Sequence, residues 1–179
     1  IDTGAAGGVI TIGAGGVANG GTFDVILKSG TGAITVAGTT VVTDLDIRTT
    51  GGATFTGNVT VNDLITTATS GIVTLNGAAN TFVAAVDFLN ASTFLGDADT
   101  DQSTFGGGVT FATNGGTLGL QGKIITTNDA VVTAAGAITL GADAEIDTGA
   151  AGGVITIGAG GVAGGAAGDL ILKSGTGAI

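Results

Sequence analysis

IDTGAAGGVITIGAGGVANGGTFDVILKSGTGAI, residues 1–34, returns as IDTGAAGGVITIGAGGVAGGAAGDLILKSGTGAI, residues 146–179. The offset is 145 residues, and five of the 34 positions differ: Asn19 against Gly164, Gly21 against Ala166, Thr22 against Ala167, Phe23 against Gly168 and Val25 against Leu170. A fixed internal period means that each repeat leans on its neighbours instead of closing a core of its own. Residues 1–145 therefore read as one full repeat and 146–179 as the start of the next, joined with no linker. The chain begins and ends on Ile and has no Met, so an excerpt from a longer tandem array is expected.

Composition says what kind of repeat this is. Glycine supplies 37 of the 179 residues, proline none and charged residues 10%, while 44% are hydrophobic. That is enough apolar surface to fold, so the chain is not a disordered linker. The apolar residues are mostly Val, Ile and Ala, with much Thr beside them, and the β-branched ones favour the pleated surface of a strand. Thirty-seven glycines cannot lie inside strands, because each interior one costs roughly 0.5–1 kcal/mol against alanine. Most must mark corners, where positive φ makes glycine useful.

Short strands are expected at residues 9–12, 24–28, 33–36, 43–48, 54–56, 59–61, 72–75, 82–88, 109–111, 118–120, 123–126, 131–133 and 137–140. In residues 43–48 the alternation puts Thr43, Leu45 and Ile47 on one face and Asp44, Asp46 and Arg48 on the other. Three such strands with their corners would make one coil of a parallel β-solenoid. Six or seven coils of about 21–24 residues would fill the repeat and add about 28–34 Å of rod at the inter-strand spacing. The alternatives are tandem β-sandwich domains, which also show strands every 8–12 residues, and intertwined trimeric β-fibres. The absence of Trp, Tyr and Pro counts against the sandwich. Phe55, Phe82, Phe88, Phe94, Phe105 and Phe111 are expected to stack as rings in the core, with a ligand-binding platform as the sharper alternative. Phe23, replaced by Gly168 in the second copy, belongs to a turn or a surface.

The phrases GVITIGA (8–14), GAITVAG (32–38), GNVTVND (57–63) and GAITLGA (136–142), in a long Cys-free run, resemble filamentous-haemagglutinin-type adhesins and the β-strand-repeat surface proteins of bacteria. Similar phrases occur in phage tail fibres. The resemblance is one of texture over essentially the whole chain. It implies a right-handed parallel β-helix displayed outside the cell as a stalk or fibre.

Charge and motifs bound the function. The net charge is −10 with no His, and no basic cluster offsets it, which speaks against nucleic-acid binding. No apolar run approaches the ~20 residues of a membrane helix, so no membrane insertion by this segment is expected. Without Cys there is no disulfide framework, and without His, Cys or Tyr the usual nucleophile–base pairs cannot be assembled. Gly158, Gly160 and Ala163 imitate a dinucleotide fingerprint, but a strand restarts by Asp169 where a helix would be needed. Residues 173–177 have the residue types of a phosphate loop in the wrong order.

Asp97, Asp99 and Asp101 alternate in one loop, as in the first half of a Ca²⁺ loop. Gln102 and Gly108 replace the glycine and glutamate of an EF-hand, which leaves a looser Ca²⁺ site or a solvated acidic corner. Asp44 and Asp46 beside Arg48 would suit a carboxylate pair only with a cleft and a tuned acid; otherwise they are a solvent face. The Asn58-Val59-Thr60 and Asn90-Ala91-Ser92 triplets fit an N-glycosylation pattern, read as incidental in a bacterial chain. The expected function is structural: an extracellular fibre, adhesin stalk or surface layer, with no catalysis. Its expected partners are further copies end to end, covalent or associated. A glycan- or surface-binding module on the same rod is the second expectation.

Overall fold

The computed structural model describes residues 1–18, 20, 22–111, 116–164 and 168–179. All regular structure among them is strand. In chain order these are β1 (Ile10–Ile12), β2 (Val17–Ala18), β3 (Val25–Leu27), β4 (Ala33–Val36), β5 (Thr40–Val41), β6 (Asp44–Ile47) and β7 (Gly52–Phe55). There follow β8 (Val59–Val61), β9 (Asp63–Thr66), β10 (Ile72–Leu75), β11 (Ala79–Phe82), β12 (Val86–Phe88), β13 (Ser92–Leu95), β14 (Gln102–Phe105) and β15 (Val109–Phe111). The last are β16 (Thr117–Thr126), β17 (Val132–Ala134), β18 (Ala137–Asp147), β19 (Ile155–Ile157), β20 (Val162–Gly164) and β21 (Leu170–Lys173).

Every strand pairing among the described residues is parallel and joins a strand to its equivalent one coil on, so the chain is a parallel β-helix of about seven turns. It has three faces. The first face carries β1, β4, β7, β10, β13, the front halves of β16 and β18, and β20. The second carries β2, β5, β8, β11, β14, the rear halves of β16 and β18, and β21. The third carries β3, β6, β9, β12, β15, β17 and β19. Partners on adjacent coils lie 19 residues apart at the tightest (Thr35↔Thr54) and 26 at the loosest (Ala144↔Leu170). The spread is wider than the expected 21–24 because corners differ in length while the strands stay short.

Inward side chains form ladders. On the first face Ile34, Ala53, Val73, Thr93, Leu118 and Ile138 follow one another in register and are all buried. Five of the six phenylalanines expected in the core are there, each at most 1% exposed. Phe82 stacks on Phe105 at 4.8 Å and Phe88 on Phe111 at 5.1 Å, and the two stacks meet edge to face through Phe105 and Phe111 at 6.2 Å. Phe94 is the exception: it faces outward and is 39% exposed, because Thr93 and Leu95 take the inward positions of β13. Phe23, 67% exposed, lies on the surface as expected.

Corners are held by buried hydroxyls and amides. Ser29 Oγ donates to Thr50 Oγ1 at 2.8 Å, and one coil further Ser70 Oγ donates to the Ile47 carbonyl. Glycine serves the corners in two ways. Some have positive φ, as at Gly30 (φ +62°). Others sit where coils approach too closely for a side chain: a Cβ on Gly38 would collide with the Gly16 backbone below it. The second role is absent from the sequence expectation, which assigned corner glycines to positive φ alone.

Two further expectations are corrected. Residues 82–88 are not one strand, since Val83–Ala85 turn the corner between β11 and β12. Asp46 points outward from β6 as the alternation predicts, yet it is only 7% exposed, because Arg48 folds over it with an Nη2–Oδ2 distance of 2.6 Å. The boundary between the two sequence copies, residues 145 and 146, falls inside β18.

The duplicated segment does not return to the face it left. β1, on the first face, has β19 as its sequence counterpart, and β19 is on the third. Likewise β2 on the second face matches β20 on the first, and β3 on the third matches β21 on the second. The 145-residue repeat holds the strands β1 to β18, of which β16 and β18 each span two faces. That makes twenty face-lengths, or six and two-thirds coils. The register agrees: from Ile10 through Ile34 to Val162 the first face climbs seven coils in 152 residues (162 − 10), about 22 per coil. The repeat therefore falls between the six and seven coils expected, at the expected mean length per coil.

Candidate functional site

Two surface regions concentrate chemistry. The first is the edge between the first and second faces, beside Phe94. In register with Phe94 on the next coil is Gly119, where a Cβ would collide with the ring. The ring therefore lies over a bare stretch of backbone and covers it, a pairing that protects a sheet glycine from solvent. Phe94, Gly96, Gly119, Gln121, Thr139 and Gly141 line a shallow groove there.

The three aspartates of the sequence motif sit at this same edge, and they do different things. Asp101 is 6% exposed, and its carboxylate accepts from the backbone N–H of Asp97 at 2.9 Å and of Ala98 at 3.0 Å. It closes its own turn, with the Asp101 N–H donating to the Ala98 carbonyl at 3.0 Å. Asp99 is exposed and accepts from Gln121 Nε2 at 3.5 Å. Asp97 is exposed. Among the described residues no three acidic side chains converge in a way that holds a metal ion. One step along the edge, Glu145 stands 2.9 Å from Lys173 and 4.0 Å from Lys123, and the Lys173 ammonium is held above its ordinary range by the hydrogen bond to Glu145.

The second region is a seam in the third face. The ladder there breaks between β9 and β12, which pack on each other without a continuous hydrogen-bonded register. Thr66 fills the inward position, and its hydroxyl donates to the Asp87 carbonyl at 3.3 Å and accepts from the Leu89 N–H at 2.9 Å. A cleft opens over the seam, lined by Asp63, Ile65, Ala85, Asp87 and Leu89. Asp63 is in register with Asp44, and its carboxyl is pushed above the ordinary range, first by burial and then by the Asp44 charge. The carboxylates of Asp44 and Asp46 are drawn to neighbours, Asn62 Nδ2 at 3.4 Å and Arg48 Nε at 2.8 Å.

The pH consequence of Asp63 has a definite sign. A carboxyl whose folded pKa is raised binds its proton more tightly when folded, so it contributes most at low pH. That contribution is lost as pH rises from the ordinary aspartate range, about 3.9, through the raised folded value. Asp63→Asn is therefore expected to raise the melting temperature at pH 7 and to lose that advantage by pH 3. Parallel thermal melts of the two proteins across this range check it, and an Asp63→Asn melting point below the parent's at pH 7 contradicts it.

Sequence reasoning placed the carboxylates of residues 97–101 but missed the outward Phe94 and the Asp63–Asp87 cleft. Phe94 could have been found from Leu95, whose inward position forces its neighbour outward. The cleft could not, because it depends on which coils lie against each other. The groups these regions present are an exposed aromatic ring, amides and carboxylates. Among the described residues no helix is long and apolar enough to cross a membrane. No protein-family model matches the chain, and no curated protein or solved structure matches it either.

Proposed function

We propose that this chain is a non-catalytic structural repeat protein, a length of β-helical rod for an extracellular fibre, adhesin stalk or surface layer on a bacterial cell. The observation that carries the reading is the passage from one sequence copy to the next inside β18, with the buried core running on through it. A rod that can begin its repeat again in mid-strand lengthens by adding coils, with no new kind of core. Covalent continuation or end-to-end association would extend it equally well, and the acidic surface, net −10, keeps neighbouring rods apart. The test is to build chains with increasing numbers of the 145-residue repeat and measure particle length by electron microscopy. At about 4.8 Å per coil, six and two-thirds coils should add about 32 Å per repeat at constant width. Beads of fixed size joined by gaps would overturn the proposal.

A second reading, a glycan- or surface-binding face on the same rod, is favoured by one feature. Phe94 offers an exposed ring beside Asp99 and Gln121, and sugars pack their C–H faces on such rings while hydroxyls bond to carboxylates and amides. Ca²⁺ at the Asp97, Asp99 and Asp101 corner belongs to this reading as an added contact for sugar hydroxyls. A glycan screen of the parent chain and Phe94→Ala, each with and without Ca²⁺, separates the two. The binding reading predicts retention by the parent and at least a tenfold loss in the variant, whereas no retention by either protein leaves the rod alone.

A further inference from the structure

The duplicated sequence occurs twice in this molecule with different neighbours. In the first copy β1, β2 and β3 are covered on their forward edge by β4, β5 and β6, through Ile10↔Ile34, Val17↔Thr40 and Val25↔Leu45. In the second copy β19, β20 and β21 pair backward with β17 and β18, and among the described residues no strand covers their forward edge. Only the start of that covering is present: the Ile155 N–H donates to the Ala178 carbonyl at 3.0 Å.

Among the described residues the two copies nonetheless share their turn hydrogen bonds. Ser29 Oγ donates to the Gly32 carbonyl at 2.6 Å, and Ser174 Oγ to that of Gly177 at 2.8 Å. Thr3 Oγ1 donates to the Gly8 carbonyl at 2.8 Å, and Thr148 Oγ1 to that of Gly153 at 2.7 Å. The Asp2 and Asp147 carboxylates accept from Gly4 and Gly149, each at 2.8 Å. The segment that β4–β6 cover in the first copy thus recurs in the second with the same turn bonds, one face round.

We infer that a further copy of the repeat following the second seats on β19–β21 one face back from where β4–β6 seat on β1–β3. Its residues 34–36 lie over β19 on the third face, 40–41 over β20 on the first and 45–47 over β21 on the second. This rests on the rod reading and adds the register and the turn. The turn follows from twenty face-lengths per repeat, a number three does not divide. It is permitted because the corners are interchangeable: the hydroxyl latch that Ser29 makes after the third face is made by Ser174 after the second. Three repeats, 435 residues (3 × 145), then complete twenty coils and about 96 Å of rod. Each surface feature, the Phe94 ring and the residue 97–101 corner included, recurs on all three sides in succession. A partner that recognises the repeat meets it at one-third turns about 32 Å apart.

The experiment uses residues 1–179 followed directly by a second run of residues 35–179. The sequence has no Cys, so introduced pairs report alone. Stacked partners on adjacent coils lie about 4.8 Å apart, within the Cα range a disulfide spans. One variant carries Thr156→Cys with Thr35→Cys in the added run, the counterpart of the Thr11↔Thr35 pair. A second carries Ala163→Cys with the same Thr35→Cys, the pair that an unturned repeat would stack. Yields after mild oxidation are read by mass spectrometry against the Thr11–Thr35 pair in the single chain. The first variant should reach that reference and the second fall at least tenfold below it. Cross-linking of the second pair instead would overturn the turned register while leaving the rod. Neither pair linking, with X-ray scattering of two jointed bodies, would overturn both.

Discussion

Replacing Phe105 with alanine is expected to lower stability by about 3–5 kcal/mol. Its ring is fully buried, stacks on Phe82 at 4.8 Å and meets Phe88 and Phe111 edge to face at 6.4 and 6.2 Å. Deleting it removes three ring contacts, each worth about 0.5–1.5 kcal/mol beyond burial. It also leaves a cavity between two strand ladders that cannot collapse without breaking register. Phe94→Ala is the control, since that ring covers one glycine and is partly wet; it should cost about 1 kcal/mol or less. Urea denaturation of both variants beside the parent checks the contrast. In hydrogen exchange, the Phe105 variant should open first around β11, β12, β14 and β15. Equal costs for the two would mean that the aromatic cluster is not the centre of the core.

Asn80→Ala is the second large expectation, a loss of about 2–4 kcal/mol from leaving buried polar groups unpaired. Asn80 is 1% exposed and ties three coils together. Its Oδ1 accepts from the Val59 N–H at 3.0 Å, while its Nδ2 donates to the Gly77 carbonyl at 3.0 Å and to Ser103 Oγ at 3.3 Å. Alanine strands the Val59 donor and the Gly77 acceptor in a dry corner. Ser103→Ala removes only the weakest of the three bonds and should cost about 1 kcal/mol. A denaturation series on the two variants decides the order. An Asn80→Ala protein as stable as Ser103→Ala would show that water or a backbone shift replaces the amide.

What was legible in the sequence follows from how local each signal is. Residues 33–36, 72–75 and 109–111 carry a period-two apolar face between glycines, and all three are strands at those bounds. Strands made largely of polar residues, such as β14 (Gln102–Phe105) and β11 (Ala79–Phe82), were not separable from corners. Their inward Ser103 and Asn80 are satisfied only by neighbouring coils. The acidic corner was legible as residues but not as geometry: nothing in the run DADTD (97–101) says that Asp101 turns back to hold the amides of Asp97 and Ala98. The rotation of the second copy was out of reach, because it depends on counting every face-length, including those of short or polar strands such as β5, β11 and β14 that the local pattern does not reveal.

That rotation is the claim on which the rest stands, and a pair of cross-links in the 179-residue chain tests it. Thr156 on β19 is in register with Thr133 on β17, on the third face. Had the copy returned to the face of β1, Thr156 would stack instead on Thr139 of β18. Cysteines at 133 and 156 should form a disulfide in high yield under mild oxidation, and cysteines at 139 and 156 should not. The reverse outcome would contradict the six-and-two-thirds-coil repeat and every consequence drawn from it.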